Sequence, residues 1–168
     1  KGRYNVIIGG NLWLKMGRRN IINAIDLSSL GLDKIEEDEG GFRIGCMATL
    51  HDIETHEGLN KEFQNLFKEA VRHIVGVQFR NCATIGGSIF PKLGFSDVLT
   101  AFLACDTQVI LYKKGEVPLR EFIYIPTDND ILTHLYVKKD GRKTAYESFR
   151  MTETDFPTIT CAMAKTQD

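Results

Sequence analysis

The sequence predicts an α+β fold. Three observations predict it. Short strand-like runs outnumber helical ones along the 168 residues. Strands and helices do not alternate strictly, as they would in a doubly wound sheet. One apolar stripe at helical spacing, formed by Leu59, Phe63, Leu66, Phe67, Ala70, Val71 and Ile74, marks a substantial helix among the strands.

The first strand is Tyr4 to Ile8, an apolar run broken by Gly9-Gly10. Leu12 to Met16 suits one or two helical turns, with Trp13 as a packing residue. Asn23 to Leu27 reads as a second short strand, and the acidic stretch Glu36 to Gly41 as a turn. Phe42 to Cys46 alternates with period two, the pattern of a half-buried strand. Thr49 followed by Asp52 places a carboxylate three residues after a hydroxyl, a helix start. The apolar stripe then predicts one helix from about Asn60 to Val75.

Ser96 and Asp97 are suited to cap a helix carrying Val98, Leu99, Ala101, Phe102 and Leu103. Thr107 to Tyr112 reads as a strand, with a turn at Lys113-Lys114-Gly115. Ile131 to Val137 and Thr144 to Phe149 are further strands, joined by Lys138-Lys139-Asp140-Gly141 in the manner of a hairpin. Thr158 to Ala164 is the last strand-like run.

Composition narrows the function. The hydrophobic fraction of 43 % and length of 168 residues allow a real core, in one domain or two small ones. A net charge of -1 gives no basic field for nucleic acid or an anionic membrane. No apolar run approaches the roughly 20 residues of a membrane span, and no targeting signal is visible. Cys46, Cys82, Cys105 and Cys161 lie far apart, without the close pairs of zinc or iron–sulfur ligation. They read as four reduced, buried thiols of a cytosolic protein. His51, His56, His73 and His134 are scattered without metal spacing. The chain opens almost directly on one strand and closes on another, as a fragment would.

The most informative stretch is Arg80-Asn81-Cys82-Ala83-Thr84-Ile85-Gly86-Gly87-Ser88-Ile89. Adjacent glycines let backbone approach a ligand closely or accept positive φ at little cost. Consecutive backbone N–H groups in such a loop form an anion nest, and Thr84 and Ser88 add hydroxyls beside it. A second apolar-then-glycine run, Val6-Ile7-Ile8-Gly9-Gly10-Asn11, lies near the N-terminus. Two phosphate-cradling loops in one chain suggest a ligand with two phosphates, such as a dinucleotide cofactor.

The order of these motifs resembles the flavin-binding domain of the molybdenum hydroxylases, the family of xanthine dehydrogenase and the medium subunit of carbon monoxide dehydrogenase. The family's strand ending in a glycine pair is matched by Ile7-Ile8-Gly9-Gly10-Asn11, and its Ile-Asp-Leu strand end by Ile25-Asp26-Leu27. Its Ile-Gly-Ala before a Thr-initiated helix is matched by Ile44-Gly45-Cys46-Met47-Ala48-Thr49. The hallmark Arg-Asn-x-Ala-Thr-x-Gly-Gly-Asn is matched from Arg80 to Ser88. An Asp follows at Asp97, and Asp130-Ile131-Leu132 matches the family's Glu-Ile-Leu.

The resemblance implies an FAD-binding fold of the vanillyl-alcohol oxidase type, with a small N-terminal α/β lobe and a larger mixed lobe built on an antiparallel sheet. It divides the chain into residues 1–34, residues 35–138 and the start of a C-terminal lobe at residues 139–168. FAD is the implied cofactor. The amides of Gly9, Gly10, Asn11, Gly86 and Gly87 are implied to face its pyrophosphate, beside Ile7, Ile8, Leu12 and Ala83. Thr84 and Ser88 are implied hydroxyl donors, suited to a charged acceptor. Ile74 and Phe79 match positions near the adenine. Asp97 matches a contact near the flavin end, and Ile131 and Leu132 match apolar contacts on the isoalloxazine ring.

The implied function is electron transfer in the cytoplasm. Electrons arrive from a [2Fe–2S] subunit served by a molybdenum cofactor-binding subunit, and leave to an acceptor such as NAD. No residue is needed as a nucleophile, general acid or metal ligand. Two alternatives stand beside this reading: an assembly module of the same fold that has lost flavin, and a stand-alone FAD oxidase. Departures from the family are concentrated after the glycines, at Asn11-Leu12, at Ser88, at Phe90 to Phe95, and at Glu147, where the family places a cation and Arg150 is the closest one here.

Overall fold

Three separate sheets organise the chain in the computed structural model, which describes residues 5–18, 20–126 and 130–166. Tyr4, the expected start of the first strand, lies outside the described residues. In chain order the elements are β1 (Asn5–Ile8), α1 (Leu12–Met16), β2 (Asn23–Asp26), β3 (Ile35–Glu37), β4 (Gly41–Gly45), α2 (Leu50–Thr55), α3 (Glu57–Glu62), α4 (Leu66–Val71), α5 (Val77–Arg80), α6 (Ile85–Ile89), α7 (Asp97–Ala104), β5 (Thr107–Leu111), β6 (Gly115–Pro118), α8 (Leu119–Phe122), β7 (Leu132–Lys138), β8 (Lys143–Phe149) and β9 (Ile159–Lys165). The fold is α+β, as expected.

β1 and β2 pair in parallel, with Ile7 opposite Ile25, and α1 connects them. The largest sheet has the order β3-β4-β7-β5-β6, and each neighbouring pair in it is antiparallel. β8 and β9 form a third, two-stranded antiparallel sheet. The core lies between the five-stranded sheet and the helices. Phe42, Ile44, Val109, Leu135 and Val137 supply its sheet side and are essentially inaccessible. An aromatic series crosses it, Phe42 to Phe63 to Phe67 to Phe102, with ring centroids 6.1, 5.3 and 4.5 Å apart.

Several local expectations hold. Thr49 caps α2 in a full capping box with Asp52, and the Ser96 hydroxyl accepts from the Leu99 amide at the start of α7. Others need correction. The stretch from Asn60 to Val75 is not one helix. Gln64 and Asn65 adopt φ of 45° and 64°, which divides it into α3 and α4. Asn60 is the physical reason. Its side-chain amide donates to the carbonyls of Ile53, Glu54 and His56, each at 3.0 Å, and its oxygen accepts from the Lys68 amide at 3.1 Å. This knot turns the chain while both helices still face the core.

Lys138 to Gly141 is not a hairpin turn. β7 pairs with β4 and β5, whereas β8 pairs with β9, so this segment passes between sheets. Glu36 to Gly41 is a strand end followed by a narrower turn. The Asp38 carboxylate accepts from the Gly40 and Gly41 amides at 2.7 and 2.8 Å and from the Tyr136 hydroxyl at 2.9 Å. These bonds, the Tyr136 hydroxyl first, hold the Asp38 carboxyl below its ordinary range. Only two of the four thiols are buried, Cys46 and Cys105; Cys82 and Cys161 are exposed. Among the described residues, no helix is long and apolar enough to cross a membrane, and no cluster of His, Cys, Asp and Glu is placed to hold a metal ion.

Candidate functional site: two glycine loops in contact

The two glycine loops meet. A Cβ built on Gly10 would fall 1.6 Å from the Cys82 carbonyl oxygen, and one built on Gly9 would fall 2.7 Å from the Thr84 hydroxyl oxygen. The glycines are therefore used for close approach. Neither pair takes positive φ, contrary to one of the expected reasons for them. The left-handed residue is Asn11, at φ 62°, a conformation Asn tolerates better than most side chains.

Asn11 is the N-cap of α1, yet its side chain makes no capping bond. Among the described residues, the amides of Gly10, Asn11 and Leu12 have no hydrogen-bond acceptor within the chain. Backbone donors left open at a helix start are suited to an anion. Ile7, Ile8 and Leu12 are half-buried, and Asn11 is exposed.

The second loop is built differently. Thr84 caps α6, its hydroxyl oxygen accepting from the Gly87 amide at 3.2 Å. The Gly86 amide donates to the Cys46 carbonyl at 2.7 Å, and the Ser88 hydroxyl donates to the Thr84 carbonyl at 3.0 Å. The Gly86 and Gly87 amides, expected to face a pyrophosphate, are engaged within the chain in this structure. A Cβ on Gly86 would fall 2.8 Å from the Cys46 carbonyl oxygen, so this glycine lets α6 lie against the 46–48 segment. Gly87 is exposed, and a Cβ there would meet only the Thr84 hydroxyl, at 3.1 Å.

The position of the second loop is fixed from two sides. Leu50 donates to the Ala83 carbonyl and Ile85 to the Ala48 carbonyl, both at 2.9 Å, around a Thr49–Thr84 bridge. On the other side, Arg80 makes two bonds to Glu54, at 2.8 and 3.1 Å, and one to the Ile74 carbonyl at 3.3 Å. Burial raises the Glu54 pKa, but the Arg80 guanidinium and His51 lower it further, so the net shift is downward. Glu54 carried no signal in the sequence beyond its amphipathic position. Arg80 ties together the neighbourhood of Ile74 and Phe79, both half-buried.

Ile131 and Leu132 lie at the start of β7. The Cys46 amide donates to the Thr133 carbonyl at 2.8 Å, so β7 is one backbone step from the segment that accepts from Gly86. Ile131 packs against the core and Leu132 is buried in it. Asp97 lies at the start of α7 with two partners of its own. It accepts from the Tyr146 hydroxyl and, at 2.6 Å, from Arg150. Burial, then the Asp97 carboxylate, pushes the Tyr146 phenol well above its ordinary value and keeps it a neutral donor. Two open grooves lie elsewhere. One of about 530 Å³ is lined by residues including Glu54, Asn60, Lys61 and Lys68, and one of about 650 Å³ by residues including Glu37, Glu62 and Arg142.

Residues 1–137 match the family described as the FAD binding domain in molybdopterin dehydrogenase. The chain belongs to this family. The cofactor of the family is FAD, and the open amides of the first loop beside Thr84 fit its diphosphate. The chain is similar to YgfM of Escherichia coli strain K12, at 27 % identity over 143 residues, 85 % of this chain and 53 % of that one. It is similar to the aldehyde oxidoreductase FAD-binding subunit PaoB of the same organism, at 34 % over 90 residues, 51 % of this chain and 28 % of that one. Carbon monoxide dehydrogenase from Hydrogenophaga pseudoflava shares the fold, with a TM-score of 0.85 and 23 % identity over 98 % of this chain and 62 % of that one. The chain spans about half the length of YgfM.

Proposed function

We propose that the full-length protein is the FAD-carrying electron-transfer subunit of a molybdenum-containing hydroxylase or dehydrogenase. The observation that supports this most directly is the meeting of the open α1 amides with the Thr84 loop, in a chain of the FAD-binding family. When bound, FAD supplies storage for two electrons, and the protein's task is to hold and tune it. Gly10, Asn11 and Leu12 would donate backbone N–H groups to the diphosphate. Thr84 would add a hydroxyl. Ile7, Ile8, Gly9, Ala83, Gly86, Gly87 and Ser88 would shape the walls of that site. Ile74 and Phe79 would lie near the adenine, Asp97 toward the flavin end, and Ile131 and Leu132 against the ring.

In this reading a [2Fe–2S] subunit delivers electrons that originate at a molybdenum cofactor-binding subunit. The acceptor is a small molecule such as NAD, as in xanthine dehydrogenase, and the complex is cytoplasmic. The chain divides into lobes at residues 1–34, 35–138 and 139–168, the first and second contributing one glycine loop each. Full-length protein reconstituted with FAD should hold it near one per chain and release it, unmodified, on denaturation. Recovery of FMN, or of no flavin, would sink the proposal.

The engagement of the Gly86 and Gly87 amides inside the chain favours a second reading, a docking module that no longer holds flavin. Co-purification with a molybdenum-containing partner, without flavin absorbance after reconstitution, would select it.

A further inference from the structure

The loop between β8 and β9 lies beyond the matched residues 1–137, yet it reaches back to α1, the helix that follows the first glycine loop. Trp13 is the second residue of α1, two positions after the left-handed Asn11. Its ring stacks on Phe156 at 5.8 Å between centroids, with 22° between planes. Phe95, just before α7, lies 6.4 Å from Trp13 and 4.8 Å from Phe156. Three segments distant in sequence thus contribute one ring each to a single cluster. The rings are 52, 62 and 42 % exposed for Trp13, Phe156 and Phe95, so they form a surface contact and not part of the core.

A buried polar brace sets two of these rings. Arg150, with its side chain 7 % exposed, donates to Asp97 at 2.6 Å, to the Asp155 carbonyl at 2.6 Å and to the Ser148 hydroxyl at 3.3 Å. Asp155 immediately precedes Phe156, and Asp97 follows Phe95 by two residues. One guanidinium is therefore bonded close to both rings against which Trp13 packs, to the backbone at Asp155 and to the side chain at Asp97. Tyr146 donates to the same Asp97 oxygen and ties the brace to β8.

We propose that Trp13, Phe95 and Phe156 form an aromatic clasp, braced by Arg150, that holds α1 and its glycine loop in place around bound FAD and slows its release. Trp13 and Phe156 are then positioning residues. They act through the loop and touch no reacting atom. The first loop needs such a support. Asn11 gives α1 no side-chain cap, and Gly9-Gly10 has no side chains with which to anchor its entry. Stacking of Trp13 supplies the orientation that the local sequence does not.

This inference rests on the FAD reading. The test uses full-length protein reconstituted with FAD, and measures the rate at which flavin appears in an ultrafiltrate after dilution. Trp13→Ala and Phe156→Ala should each release FAD about tenfold faster, the scale expected when an aromatic pair is lost. The double variant should be no faster than the faster single one, because both remove the same contact. Trp13→Phe, which keeps a ring, should stay within about twofold of the unsubstituted protein. The melting temperature of the apoprotein should fall by only about 2–4 °C, in one cooperative transition, which separates a positioning role from a general loss of structure. Should Trp13→Ala fail to fold, Phe156→Ala in its exposed loop decides the question. Release at the unsubstituted rate from Phe156→Ala overturns the clasp while leaving the FAD reading intact. Failure of the unsubstituted protein to take up FAD overturns that reading, and the clasp with it.

Discussion

Glu54 and Arg80, 26 residues apart, form a two-bonded ion pair that fixes where the second glycine loop begins. The side chains are 14 and 7 % exposed, and the shorter Arg80–Glu54 bond, at 2.8 Å, has the length of a charge-assisted hydrogen bond. Removing one member leaves the other charge poorly solvated. Glu54→Gln is expected to destabilise the protein by about 3 kcal/mol, at the lower end for a buried pair because some solvent remains. Glu69→Gln, which breaks the exposed pair with Arg72, should change stability by less than about 1 kcal/mol. Urea unfolding of the two variants measures both. Equal midpoints would show that the Arg80 pair has no special weight.

Among the described residues, Gly10 is the glycine least able to accept a side chain, because its Cβ would fall 1.6 Å from a backbone oxygen, that of Cys82. Gly10→Ala should force the loops apart, cost about 1–3 kcal/mol and lower FAD retention. Gly87→Ala should cost little, since its single near neighbour is the Thr84 hydroxyl. Flavin content after gel filtration ranks the variants. If Gly87→Ala proves the more damaging, the assigned loop contact is wrong.

Thr49 is expected to matter beyond its own helix. Thr49→Ala removes the capping box of α2, in which the hydroxyl accepts from the Asp52 amide at 3.0 Å, and should cost about 1 kcal/mol. The same segment bridges to Thr84 and accepts from the Ile85 amide. Hydrogen exchange at Ile85 and Gly86 should therefore quicken in this variant. Unchanged exchange there would separate the cap from the glycine loop.

The buried thiols give stability a pH dependence. Burial pushes Cys46 up from the ordinary value near 9 to about 11, and Cys105 to about 12. A pKa raised on folding means that the unfolded chain loses its proton first. The contribution is complete below about pH 9 and is lost as pH rises through about 11 to 12. At pH 8, iodoacetamide should label the exposed Cys82 and Cys161 in the native protein and spare Cys46 and Cys105. Mass spectrometry reads the sites, and native labelling of Cys46 at the rate of Cys82 would contradict the burial.

Elements defined by near neighbours in sequence were legible before the structure. The capping box at Thr49, the Ser96 cap and the strand before Gly9 each depend on a few adjacent residues. The break at Gln64-Asn65 was hidden, because the apolar stripe continues through it and the cause is the polar side chain of Asn60, whose bonds apolar periodicity does not register. The partners of β7 were hidden for a similar reason. Lys138 to Gly141 has turn chemistry, but burial of Leu135 and Val137 selects β4 and β5 as neighbours. In the site, sequence order identified both glycine loops. It carried no sign that Gly10 touches Cys82, that Arg80 pairs with Glu54, or that Phe156 returns to Trp13.

The placement of β7 also governs when this protein is able to fold. β7 is the middle strand of the five-stranded sheet, and the last of the five to be synthesised. Until it emerges, the β3–β4 and β5–β6 hairpins have no strand to join them, and isolated hairpins are marginal in water. Closing the sheet then links Gly45 to His134 across about half of the chain, a contact of high sequence separation that slows folding. Nascent chains halted before Leu132 would expose the apolar faces of both hairpins, and the cell's chaperones would meet the protein at that stage.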